Sequence, residues 1–206
     1  ELAYLHPKRF TPDISVLKEL DLQEDEAFVI IRFVSWNATH DLGQTGLSLN
    51  AKTDLVNEIS KTARVFISSE NRLPPEFKKF ALNLAPHRLH HALYYASLYI
   101  GEGATTASEC AMLGTPAIYI NTITAGTLEQ QERYGLLYCF RNSDGLNEKA
   151  LTLLNSPGLK EEFRKKRNKM LNENIDVTSF LIWFIENYPA SKKVMLADPS
   201  FQNTFQ

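Results

Sequence analysis

Cysteine and tryptophan are scarce, with two of each in 206 residues, and no apolar run approaches the length of a membrane-spanning helix. Two cysteines exclude a disulfide framework, and Cys110 and Cys139 each lie in an apolar stretch, which fits reduced core thiols better than a bridge. Neither a CxxC nor an HExxH spacing occurs, so a zinc site has no sequence support. The opening residues ELAYLHPKRF lack the basic-then-apolar order of a signal peptide, and a cytoplasmic location is expected. Charge of one sign is missing as well. The 22 basic and 24 acidic residues are interspersed and sum to −2, which leaves no field to hold a polyanion and argues against nucleic acid as a partner.

What is present is ordinary globular material, 44% hydrophobic and 22% charged, in a length that suits one α/β domain. Residues 1–26 mix prolines with a short helical pattern at Ile14 to Leu20, capped by Thr11 or Asp13, and read as a lead-in or interdomain segment. Ala27 to Val34 is an almost continuous β-branched and aromatic run, as in a strand covered on both faces of a parallel sheet. Further strands are expected at Arg64–Ser68, near Phe80–Leu84, and at Ser97–Gly101, Ala117–Asn121 and Leu136–Phe140. Helices are expected between them, beginning at Asn50, which could cap the first. This alternation predicts a Rossmann-like doubly wound sheet of about six parallel strands over residues 27–188. Extra helices follow from Leu159, and residues 189–206 read as a tail. The KEEFRKKRNKM stretch is a solvated helix face rather than a nucleic-acid patch, since Glu161 and Glu162 interrupt it.

The chemistry concentrates in GEGATTASECAMLGTP, Gly101 to Pro116, where a strand runs through a glycine turn into a helix. Such a turn presents free backbone amides and a positive dipole end to an anion. Gly103, Ala104, Thr105 and Thr106 are the candidate diphosphate cradle, and Glu109, one helical turn on, suits the two hydroxyls of a ribose. The alternative is a plain tight turn with Thr106 or Ser108 capping the helix. No Walker lysine follows, and the turn after the first strand, SWNATHDLGQTG, lacks a dinucleotide fingerprint, which disfavours a P-loop or an NAD site.

Around this turn, other residues fall at the same sheet edge. His40 and Asp41, in the long loop after the first strand, are the candidate acid/base pair. Ser35, Trp36 and Asn37 in that loop, Ser69 and Glu70 after the second strand, Ala85 and Pro86, and Asn121 and Thr122 are candidate pocket residues. Arg32, inside an apolar strand, needs a partner, a buried ion pair being favoured over a phosphate contact. His87, His90 and His91 suggest a metal cluster at first sight, but no third ligand shares a face with His87 and His91, and no metal is expected.

Gly103-Ala-Thr-Thr-Ala-Ser-Glu109 followed by Leu113-Gly-Thr-Pro resembles the donor-nucleotide turn of two-domain GT-B glycosyltransferases. It is most similar to that of the peptidoglycan N-acetylglucosaminyltransferases and also resembles the turn of the UDP-N-acetylglucosamine 2-epimerases. HPKRFTPD, RFVSWNATHD and DVTSFLIWFIE extend a resemblance to a bacterial and archaeal glycosyltransferase-like family over most of the chain. The resemblance implies the donor-binding half of a GT-B enzyme of cell-envelope polysaccharide synthesis. Its ligand would be a UDP-sugar, with the diphosphate on the glycine turn and the ribose on Glu109, and no further cofactor. An N-terminal acceptor-binding half or a dimer partner would complete it, and membrane association would be peripheral, through the acceptor. A nucleotide-sugar epimerase or hydrolase and a non-catalytic interaction domain are the alternatives. The sequence departs from the transferases at Glu102, where they carry a small hydroxyl residue: a carboxylate beside a diphosphate must turn away or meet a cation.

Overall fold

The computed structural model describes residues 3–35 and 46–206. A short helix α1 (Val16–Glu19) precedes strand β1 (Phe28–Phe33), whose residues are all buried except the half-buried Arg32. Helix α2 (Leu49–Ile59), strand β2 (Arg64–Ser69), helix α3 (Leu89–Tyr95), strand β3 (Leu98–Gly101) and helix α4 (Ala104–Leu113) follow. Strand β4 (Ala117–Ile120), helix α5 (Gly126–Arg133), strand β5 (Leu137–Phe140) and helix α6 (Leu146–Leu154) complete the alternation. The cap of α2 is Ser48, whose hydroxyl accepts from the Ala51 amide at 3.2 Å, rather than Asn50.

The sheet is parallel throughout, in the order β2-β1-β3-β4-β5. Five strands stand among the described residues where about six were expected. Of the stretch expected near Phe80–Leu84, Phe80 ends a 3₁₀ helix, Pro75–Phe80, started by consecutive prolines that cannot donate to a ladder. Only Ala81 reaches the sheet, as a single parallel bridge to Ile67. It sits outside β2, where a third Rossmann strand would run, so the order keeps its reversal between β1 and β3. Right-handed crossovers put α2 with α6 on one face, and α3, α4, α5 and a later helix on the other.

Helix α4 is the most deeply set, buried from Thr106 through Ala111 and again at Leu113. Its C-cap Gly114 adopts φ 73°, and a Cβ there would sit 3.2 Å from the Arg164 Cα, so both conformation and space call for glycine. Cys110 is buried and Cys139 exposed, both as free thiols, so the expectation of two core cysteines fails at Cys139. That residue lies on β5, which has no neighbouring strand on its outer flank among the described residues.

Helices α7 (Leu159–Asn172), α8 (Val177–Glu186) and α9 (Ala190–Ala197) end the chain with a 3₁₀ helix, Pro199–Phe205. The stretch expected as a tail is therefore helical. It folds back on α8, with Trp183 stacked 4.8 Å from Phe201 and 5.4 Å from Phe205, and leaves Trp183 and Phe184 half-buried. Leu181, Ile182 and Ile185 on α8 remain exposed. Among the described residues, no helix is long and apolar enough to cross a membrane.

Asp176 hooks this hairpin to the lead-in. It caps α8 by accepting from the Thr178 and Ser179 amides, and it pairs with Arg9 at 2.7 Å. Burial works to raise its carboxyl, but the bonds from Arg9 and Ser179 outweigh that and hold it at about 2. A depressed carboxyl contributes stability above its ordinary range that is lost as pH falls through the folded value. Acidification from about pH 4 towards 2 is therefore expected to release α8, read as a change in Trp183 fluorescence in a Trp36→Phe background. Asp176→Asn should abolish that transition, and its persistence in the variant would refute the hook.

Candidate functional site

The carboxyl ends of β1 and β3 diverge at the reversal of strand order and open a cavity of about 540 Å³. The first turn of α4, the end of β1, Glu70, His90 and Asn121 line it. Gly103 is the N-cap, at φ −96° and ψ 121°, and no side chain caps the helix, so neither Thr106 nor Ser108 plays that part. The Ala104, Thr105 and Thr106 amides make no hydrogen bond among the described residues, the first helical bond running from Ala107 to the Gly103 carbonyl. The turn thus leaves a positive, unpaired helix start facing the cavity.

The two glycines of this turn have different reasons to be there. A Cβ at Gly101 would fall 2.1 Å from the Tyr99 hydroxyl, so this glycine makes room for a tyrosine two residues earlier on the same strand face. A Cβ at Gly103 would meet only Val34 Cγ1 at 3.5 Å, an ordinary contact. Packing does not require glycine at 103.

Three glutamates surround the cavity, and each has its own partners. Glu102 has a side chain with no exposure at all. Its carboxylate accepts from the Leu47 amide at 2.8 Å and the Val34 amide at 3.0 Å, and Lys52 Nζ lies 3.3 Å away. The charge expected to disturb a diphosphate is thereby turned inward and neutralised. Lys52 in turn lies over the Phe33 ring, 4.4 Å from its centroid. The Glu102 backbone is held too, its amide donating to the Arg32 carbonyl and its carbonyl accepting from Asn121 Nδ2 at 3.0 Å.

Glu109 Oε1 accepts from the Tyr4 hydroxyl at 2.9 Å and lies 3.1 Å from His90 Nε2. Burial works to raise this carboxyl, yet the hydrogen bonds from His90 and Tyr4 outweigh it and keep it below the usual glutamate value. Burial together with the bond to Glu109 pushes the Tyr4 hydroxyl up to about 12. Glu70 takes Arg32 Nη2 at 3.0 Å and the Ser35 amide at 3.1 Å, while Arg32 Nη1 donates to Ser68. Arg32 therefore forms an ion pair as expected, but a half-exposed one rather than a buried one.

Of the other residues singled out in the sequence, Ser35, Asn121 and the Gly103 to Thr106 turn line the main cavity with Glu109. Asn121 also lines, with Thr122, a second cavity of about 250 Å³ beside it. Ser69 ends β2, and Ala85 and Pro86 begin the 3₁₀ turn ahead of α3, outside the cavity lining. Trp36, Asn37, His40 and Asp41 lie outside the described residues. The three neighbouring histidines diverge: His90 goes to Glu109, His91 Nδ1 accepts the Asp13 amide at 3.0 Å, and His87 is exposed. His90 lines the cavity, and Tyr4 and Lys52 hold its glutamates, without having been predicted there. The spacing of His90 in HRLHH marked it as polar on an apolar helix, whereas nothing local marked Tyr4 or Lys52.

No protein-family model matches the chain, and no curated protein matches it in sequence. Solved structures do match in fold. A protein described as a UDP-N-acetylglucosamine 2-epimerase from Listeria monocytogenes superposes with a TM-score of 0.52 at 14% identity, over 82% of this chain and 48% of its own. The spinosyn rhamnosyltransferase SpnG in complex with spinosyn aglycone gives 0.52 at 16% identity, over 79% and 46%. A second UDP-N-acetylglucosamine 2-epimerase gives 0.50 at 12%, over 78% and 42%. At these identities the likeness is one of fold, and the chain spans a little under half the length of each of these structures. The protein has the Rossmann-like α/β fold that forms one half of GT-B glycosyltransferases and of the epimerases.

The Glu102 clamp can be measured directly. Glu102→Leu would leave Lys52 without a counter-charge and the Val34 and Leu47 amides without an acceptor, at a cost of about 3–5 kcal/mol in urea unfolding. An unfolding midpoint equal to wild type would show that the clamp carries no stability.

Proposed function

We propose that the cavity between β1 and β3 binds the nucleotide diphosphate of a UDP-sugar, and that the chain is the donor-binding half of a GT-B-type glycosyltransferase. The observation that carries this reading is the uncapped start of α4. Three amides without a partner among the described residues and two threonines line a cavity of about 540 Å³, and the carboxylate of the preceding residue, Glu102, is turned away and paired. A diphosphate satisfies those donors and gains from the helix dipole, in a way that a neutral ligand cannot.

Glu109 then reads the ribose. Tyr4 and His90 both engage Oε1, which fixes the carboxylate plane, while Oε2 takes no hydrogen bond among the described residues. An ionised carboxylate with one engaged and one open oxygen accepts a hydroxyl hydrogen bond but repels phosphate, so it sorts the two ends of a nucleotide. Gly103, free of packing demands, lets the diphosphate approach the backbone. The sugar lies towards Asn121 and Thr122, and the acceptor is supplied by a second domain or a partner subunit. No cofactor beyond the donor is needed for this role.

Calorimetric titration with UDP, UDP-N-acetylglucosamine, GDP and TDP tests the reading, with Glu109→Ala alongside. UDP and its sugar should bind, and the substitution should weaken them roughly tenfold or more, as expected for loss of a hydrogen bond to a charged group. Absence of binding for all four, or indifference to the substitution, would overturn the proposal.

A further inference from the structure

Beneath the α4 turn lies a polar atom that the free protein does not use. The Tyr99 hydroxyl is fully enclosed and has no hydrogen-bond partner, one of two such side-chain atoms among the described residues. Its position is not accidental, since Gly101 gives up a side chain to admit it. The adjoining hydroxyl is that of Thr106, on the first turn of α4, close enough to interact with the Tyr99 oxygen and carried by a residue that lines the cavity.

We infer that Tyr99 is a positioning residue for the anion site: when phosphate occupies the turn, the Thr106 hydroxyl donates to a phosphate oxygen and its own oxygen accepts from Tyr99. The chain runs in one direction, Tyr99 O–H to Thr106 Oγ1 and Thr106 O–H to phosphate. A hydroxyl that receives a hydrogen bond becomes a better donor, so the buried phenol strengthens a contact it never makes itself. Burying an unpaired hydroxyl destabilises the free state, and ligand binding relieves it. This rests on the diphosphate reading of the cavity, and it adds a residue that no ligand touches.

A double-mutant cycle on Tyr99→Phe and Thr106→Val tests it, with unfolding of the ligand-free protein and titration with UDP and inorganic pyrophosphate as the two readouts. Tyr99→Phe removes an atom without a partner, so the ligand-free variant should unfold at or above the wild-type temperature. It should bind UDP and pyrophosphate roughly threefold to tenfold more weakly. Added to Thr106→Val, it should cause no further loss. A marked fall in ligand-free stability would show that the hydroxyl is already satisfied, and would overturn the inference without touching the diphosphate reading. So would unchanged affinity in Tyr99→Phe, or an equal loss in the Thr106→Val background. Wild-type protein that binds neither UDP nor pyrophosphate would overturn both.

Discussion

The buried carboxylate of Glu102 is the constraint around which the rest of the site is arranged. It lies at the reversal of strand order, where a sheet must leave a gap, and it bridges that gap with a side chain and a backbone at once. Its oxygens gather β1, the residue leading into α2, and Lys52 on α2, while its carbonyl holds Asn121 after β4. A charge so enclosed is tolerable only because two amides and an ammonium meet it. The result is a paired frame directly before the α4 turn, whose own amides take no partner among the described residues.

Polarity in the site is thus divided by depth. Below, Glu102 and Lys52 cancel one another in the interior. At the middle level, Arg32 with Glu70 forms a half-exposed pair whose net worth to stability is small and whose value is orientation, while His90 and Tyr4 hold the buried Glu109. At the rim stand the helix amides and threonine hydroxyls. The charges that surround the cavity are spent on each other, so what is left over for a ligand is mainly neutral dipoles pointing the same way. That arrangement favours an anion with several oxygens over a single point charge.

Much of this fold was legible because its signals are local. β1 reads as a covered strand from its apolar run alone, and α4 and α7 have the bounds that their periodicity and flanking glycines imply. The expected sixth strand shrank to a single bridge at Ala81, because the 3₁₀ helix that two prolines start runs to Phe80 and delivers only the residue after it to the sheet. The tail failed because its aromatics, Phe201 and Phe205, have no pattern of their own and find order only against Trp183 and Phe180. In the site, the glycine turn and Glu109 stood out by composition and spacing. Tyr4 lies 105 positions from its partner, and the pairing of Lys52 with Glu102 spans 50. No window of sequence contains such contacts, and the inward turn of Glu102 could not be seen without them.

The pairing of Tyr99 with Gly101 has a consequence for how this strand can vary. The phenol occupies the volume that any side chain at position 101 would need, so neither position is free while the other stands. Gly101 becomes replaceable only after Tyr99 has been exchanged for something shorter, and a tyrosine can enter position 99 only opposite glycine. Among relatives of this protein, the two positions should therefore change together or not at all.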